Sequence, residues 1–257
     1  MMNARSNLPA SVRALCFGFA LVFLRATAVP AQAPKENPYF ARLNTFSIFT
    51  AYSPDSSPIL MGTAQNRILL NFGLSYSRRL LLNRKLNWQF NAEFAPIAFE
   101  SDPVWHIVTH QTSPTIATYT DNIRQATACV PESGSYSYSF PPVTYAGTFV
   151  RTCSRIWTMG EAFSPAGLQW NFRPRHRLQP LVDAHGGFIY STIPIPIDGA
   201  GSFNFTFDFG AGIEFFRSRT RSLRLEYRYH HISNKDTADL NPGIDNGLFQ
   251  LTWSFGH

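Results

Sequence analysis

Long apolar runs are what this sequence most plainly lacks. Beyond Leu24 no segment of the 257 residues approaches the roughly 20 consecutive apolar residues that a transmembrane helix requires. Any integral membrane form must therefore be a closed barrel, because an open sheet would leave backbone groups unpaired in hydrocarbon. Charge is also scarce, at 15% Asp, Glu, Lys and Arg, with a formal net charge of +6. Residues 1–33 hold Arg5, Arg13 and Arg25 and no acid, so the rest of the chain carries only +3. That excess is too mild to argue for nucleic acid, although it suits a partner bearing phosphates. Cysteine is rare as well. Of three, Cys16 sits in the N-terminal apolar stretch, which leaves Cys129 and Cys153. In an oxidising compartment a disulfide between them is the default expectation over free thiols, and its role would be structural.

The N-terminus has a recognisable layout. Arg5 and Arg13 precede an apolar run of 11 residues, 14–24, and small residues follow at Ala26, Ala28, Ala31 and Ala33. This is the pattern of a secretory signal peptide, expected over residues 1–33, with the mature protein over 34–257. A retained anchor fits less well, since Arg25 and Pro30 flank the run. Cleavage after Ala28, Ala31 or Ala33 would each follow a small residue.

What the mature chain has instead is alternation. Phe203, Phe205, Phe207, Phe209, Ala211, Ile213 and Phe215 share one parity, against Ser202, Asn204, Thr206, Asp208, Gly210, Gly212 and Glu214 on the other. A period of two predicts strands with one apolar and one polar face. Eight such segments are expected, at about 44–52, 67–78, 86–99, 157–172, 177–192, 201–216, 222–233 and 244–255. Several exceed the length usual for soluble strands and suit tilted membrane-spanning ones. A soluble sandwich or lipocalin-like barrel would show the same parity, so the connections decide. Short polar turns at Asn83-Arg84, Pro174-Arg175 and Ser218-Arg219 alternate with longer links. That is the plan of an all-β, eight-stranded antiparallel transmembrane barrel with short periplasmic turns and long external loops.

Residues 100–156 stand out as a long link between the third and fourth strands. With Pro103, Pro114, Pro131, Pro141 and Pro142 they are expected to form an external loop insertion tied by Cys129 and Cys153. His106 and His110 within it have a spacing that suits a metal only on a helix, and no third ligand stands beside them, so no metal site is expected. The polar face carries Glu93, Asp183, His185, Asp208, Glu214, Arg224, Glu226 and Arg228. Their mixed signs predict a lumen plugged by internal pairs, which argues against a small pore.

The last hairpin carries the chemistry. Leu223, Leu225, Tyr227 and Tyr229 form the apolar face of one strand, and His231 and Ser233 continue the same parity. On the next strand Phe249, Leu251, Trp253 and Phe255 are apolar, and Asp245 shares their face. A histidine, a serine and a carboxylate therefore fall on the face that otherwise meets lipid, where ionisable groups are costly. Such a histidine can take the proton of a serine hydroxyl, and a carboxylate can hold its tautomer. Parity turns His230, the other candidate base, into the lumen. These residues alone leave two readings open: an ester hydrolase site, or polar decoration of a barrel rim that touches headgroups.

The segment His231-Ile232-Ser233-Asn234, followed after six residues by Asn241-Pro242-Gly243-Ile244-Asp245, resembles the lipid A 3-O-deacylase (PagL) family. The resemblance implies an outer-membrane barrel whose partner is lipid A, or the lipopolysaccharide that carries it. It implies Ser233 as nucleophile, His231 as base and Asp245 as the orienting acid, where the family usually has Glu. Asn234, Asn241 and Gly243 would shape the oxyanion and positioning loop. Tyr227, Tyr229, Phe249 and Leu251 flank the site on the same face and would contact acyl chains. This chemistry needs no cofactor and no metal. The sequence sets no oligomeric state. The rival expectation is a non-catalytic barrel of the same fold whose external loop is structural or binds a partner.

Overall fold

The computed structural model describes residues 38–257, so the signal-peptide reading of 1–33 lies outside the described residues. Ten strands follow in order: β1 (Asn44–Ser53), β2 (Ile68–Leu82), β3 (Leu86–Ser113), β4 (Ala117–Ile123), β5 (Glu132–Phe140), β6 (Val143–Phe172), β7 (Leu178–Ser191), β8 (Phe203–Phe216), β9 (Arg221–Ser233) and β10 (Ile244–Gly256). Eight of them form a ring. Its order is β3-β2-β1-β10-β9-β8-β7-β6, closed by pairing of β3 with β6, and every pair is antiparallel. All eight expected strands are present, and the described residues are all-β.

The burial pattern inverts that of a soluble barrel. On β9, Ser222, Arg224, Glu226 and Arg228 are buried while Leu223, Leu225 and Tyr227 are exposed. Water would expel such an arrangement, whereas hydrocarbon demands it. The inward polar groups pair with one another. Arg228 bonds Glu93 at 3.0 and 3.1 Å and Asp183 at 2.7 Å, Arg224 pairs with Glu226 at 2.8 Å, and His185 with Asp208 at 2.9 Å. Arg42, ahead of β1, reaches Glu214 at 2.7 Å. Beside this ionic net lies a buried apolar cluster that includes Phe49, Leu69, Ile189, Ile232, Ile244 and Leu248. Side chains thus plug the interior and leave a small cavity lined by residues such as Phe49, Glu93, Asp208 and Arg228.

The tight turns sit at one end. Asn83 Oδ1 accepts from the N–H groups of Lys85 and Leu86 at 2.8 and 2.9 Å, and Ser218 Oγ accepts from Thr220 and Arg221 at 3.3 and 3.1 Å. These are the local side-chain bonds that make Asn and Ser good turn residues. At the other end, residues 100–156 depart from the loop expected of them. β3 and β6, of 28 and 30 residues, stay paired from Leu86↔Phe172 to Ser113↔Ala146 and carry β4 and β5 on their outer edges. Past Asp102 this four-stranded ribbon continues for about 35 Å at the usual rise per residue. The prolines read as loop signals are mostly punctuation: Pro114, Pro141 and Pro142 lie between strands and Pro131 just ahead of β5. Between them run alternating Thr, Val, Tyr and Ser residues, which suit strands. Cys129 and Cys153 are disulfide-bonded, joining the segment before β5 to β6.

Candidate functional site

Strand register builds the site. β9 and β10 place His231 directly opposite Asp245, Tyr229 opposite Gly247 and Tyr227 opposite Phe249. On the other flank, β8 sets Phe207 opposite His231 and Phe205 opposite Ser233. Directly opposed residues have Cβ atoms about 4.5–5.5 Å apart, within reach of an imidazole and a carboxylate. His231 Nδ1 meets Asp245 Oδ1 at 2.6 Å. A carboxylate only accepts, so Nδ1 is the donor in this bond.

Asp245 is fully buried, and both of its oxygens are occupied. Oδ1 also accepts from the Tyr229 hydroxyl at 2.7 Å, and Oδ2 accepts from the backbone N–H groups of Leu60 and Met61 at 2.7 and 2.8 Å. Those two donors come from the link between β1 and β2, residues 54–67, which folds across the start of β10. Bridges between Ser56 and Asn246 and between Ala64 and Ile244 clamp it there. The acid is therefore neither unpaired nor exposed, which removes most of the cost of its place on the outward face.

Ser233 closes β9. Its hydroxyl donates to Asn241 Oδ1 at 3.0 Å and accepts from the Lys235 N–H at 3.1 Å. Among the described residues no hydrogen bond joins Ser233 to His231. The turn beyond it is shaped by two asparagines. Asn241 Oδ1 also accepts from the Asn234 N–H at 3.2 Å, its Nδ2 donates to Asp236 at 3.0 Å, and buried Asn234 donates to the Leu240 carbonyl at 2.7 Å. Lys235 and Asp236 take φ of 53 and 59°, a left-handed conformation that non-glycine residues adopt at a cost of order 1 kcal/mol or more. Gly243, at φ 60°, lies where a Cβ would come 3.2 Å from His231 Cε1. It is the residue that lets the turn pass the imidazole.

The remaining residues singled out from sequence are scattered around this centre. Tyr227 and Phe249 pack as tilted rings with centroids 4.9 Å apart, and with Leu251 they form an exposed apolar surface beside the site. Tyr229 stands closer in, with its hydroxyl on the acid. His230 is buried and lines the lumen with Asp208 and Arg228. His106 and His110 lie on the ribbon, where their partners are Asn122 and Ser154 for the first and Thr118 for the second. Among the described residues no group of three or more His, Cys, Asp or Glu gathers as a metal site.

Sequence reading missed the donors of the β1–β2 link. Backbone N–H groups leave no side-chain signature, and Gly62 was the one available signal. Tyr229 was read only as an apolar contact, although it shares its face with His231 two residues on. That parity could have marked its hydroxyl.

The sequence profile of the lipid A 3-O-deacylase (PagL) family matches residues 85–254, about two thirds of the chain. No curated protein matches. Similar solved structures include the outer membrane enzyme PagL, at 12% identity and TM-score 0.46, covering 82% of this chain and 99% of that one. Neisserial surface protein A is similar at 10% identity and TM-score 0.42, covering 83% and 97%. The outer membrane protein OprG from Pseudomonas aeruginosa has 10% identity and TM-score 0.37, covering 84% and 98%. Ser233, His231 and Asp245 all fall inside the profile match, whereas residues 54–67 fall outside it. On the strength of the match over 85–254, the chain belongs to the lipid A 3-O-deacylase (PagL) family.

Proposed function

We propose that the protein is a carboxylic ester hydrolase that removes the ester-linked 3-hydroxyacyl chain from position 3 of lipid A. Family membership makes it a lipid A-modifying enzyme of the outer membrane. The reaction and the residues that perform it are our reading. One observation carries it: the His231–Asp245 pair, 2.6 Å apart, stands on the outward face of the barrel with a serine at the next outward position of the same strand. A lipid ester reaches that face from the bilayer, and a soluble one does not.

In this reading the Ser233 hydroxyl leaves Asn241 and turns to His231 Nε2, which takes its proton as Oγ attacks the ester carbonyl carbon. Catalytic hydrogen bonds in unliganded sites are often incomplete and tighten only with substrate. The tetrahedral intermediate collapses to acyl-Ser233 when Nε2 returns the proton to the departing sugar oxygen. Water, deprotonated by His231, then releases the hydroxy acid and restores the serine. Asp245 holds the imidazole tautomer throughout. Asn234, Asn241 and Gly243 shape the turn beside which the oxyanion develops. Tyr227, Phe249 and Leu251 offer the acyl chain an apolar surface.

The rival reading, a non-catalytic barrel whose ribbon binds a partner, draws on the engagement of Ser233 by Asn241 in place of His231. Incubating the purified barrel with lipopolysaccharide and weighing lipid A by mass spectrometry separates the two. Loss of one hydroxyacyl chain with the native protein and none with Ser233→Ala is expected. Intact lipid A, or equal loss with both proteins, excludes the assignment.

A further inference from the structure

We infer that the link between β1 and β2 acts as a strap that positions Asp245, with Leu60 and Met61 supplying its backbone donors and Tyr229 completing the seat. This rests on the triad reading above. The lone pairs of the Asp245 carboxylate accept four donors, and only one of these, His231 Nδ1, belongs to the proposed reaction. The other three arrive from two sides, the Leu60 and Met61 N–H groups on Oδ2 and the Tyr229 hydroxyl on Oδ1. A carboxylate filled in this way cannot rotate away from the imidazole without breaking charge-assisted bonds, the strongest class available to it.

Around its two donors the strap is not held by burial of its side chains, although Ser56, Ala64 and Arg67 at its ends are buried. Ile59, Leu60 and Met61 are 49, 67 and 54% exposed, so their apolar surface gains little from the fold. The contact with β10 is made by backbone. Gly62 permits it, since a Cβ there would stand 2.6 Å from the Asp245 nitrogen and 2.7 Å from the Ile244 carbonyl carbon. Thr63 and Ala64 then donate to the carbonyls of Pro242 and Gly243 at 2.7 and 3.0 Å, next to His231. A loop serving only as a connection has no need to aim two consecutive N–H groups at one buried carboxylate.

Two measurements test the strap. Amide hydrogen exchange of the barrel in detergent reports the contact whether or not the protein is active. Asp245→Ala should speed exchange at Leu60 and Met61 by tenfold or more, and His231→Ala should not. Unchanged exchange in Asp245→Ala overturns the proposal. Kinetics on lipopolysaccharide then report the role. Met61→Pro, which removes one donor, should lower kcat at least tenfold, and Met61→Ala, which keeps it, should stay within twofold. Tyr229→Phe should lower kcat about fivefold at unchanged KM. Equal kcat for Met61→Pro and Met61→Ala, or a Tyr229→Phe effect confined to KM, rejects positioning. An inactive native barrel instead counts against the hydrolase reading, and the exchange result still decides the strap.

Discussion

Among the described residues the barrel holds two hydrogen-bonded histidine–aspartate pairs, built alike and placed oppositely. His185 and Asp208 face each other across β7 and β8 at 2.9 Å, and His231 and Asp245 across β9 and β10 at 2.6 Å. Both are directly opposed cross-strand pairs. The first points into the lumen, where the His185 side chain has no exposure and Asp208 also lies 3.4 Å from Arg228. No hydroxyl stands two residues along its strand: Gly187 follows His185, and Asp183 precedes it. The second points outward, and Ser233 follows it on the same face. A His–Asp dyad is therefore not in itself a hydrolytic site. Facing, access and a serine at the next position distinguish the pair we propose to be catalytic from the pair that fills the barrel.

Matched substitutions sharpen the contrast. Asp245→Asn should cost the largest effect, a fall in kcat of about 100-fold or more, because the amide no longer fixes the imidazole tautomer. Asp208→Asn makes the same change in the lumen. There activity should stay within about twofold while denaturant unfolding in detergent shows a loss of about 3 kcal/mol, the scale for breaking a buried pair. If Asp208→Asn impaired hydrolysis as deeply as Asp245→Asn, the distinction between the two pairs would collapse.

Much of this was legible in the sequence because lipid and lumen impose opposite polarity on alternate residues. The run from Phe203 to Phe215 reads as a strand for that reason. His231, Ser233 and Asp245 stand out because they break the apolar parity at one end of two adjacent strands. The fate of residues 100–156 was not legible. Their prolines were weighed as loop signals, whereas strand pairing continues between them and most of the prolines fall at its ends. The contribution of the β1–β2 link was hidden for another reason. Leu60 and Met61 act through main-chain groups that every residue has, and only the fold directs them. The bond from Ser233 to Asn241 depends on a side-chain rotamer, which spacing does not encode. Asp245 is one methylene shorter than the Glu the resemblance led us to expect. It still meets His231, because the register sets the two directly opposite.

The most direct test asks whether Ser233 is an activated nucleophile. The purified barrel is treated with a fluorophosphonate, digested, and searched by mass spectrometry for the modified peptide. The proposed triad predicts one adduct, on Ser233, that disappears in His231→Ala. An unmodified Ser233, or an adduct of equal yield in His231→Ala, would contradict it.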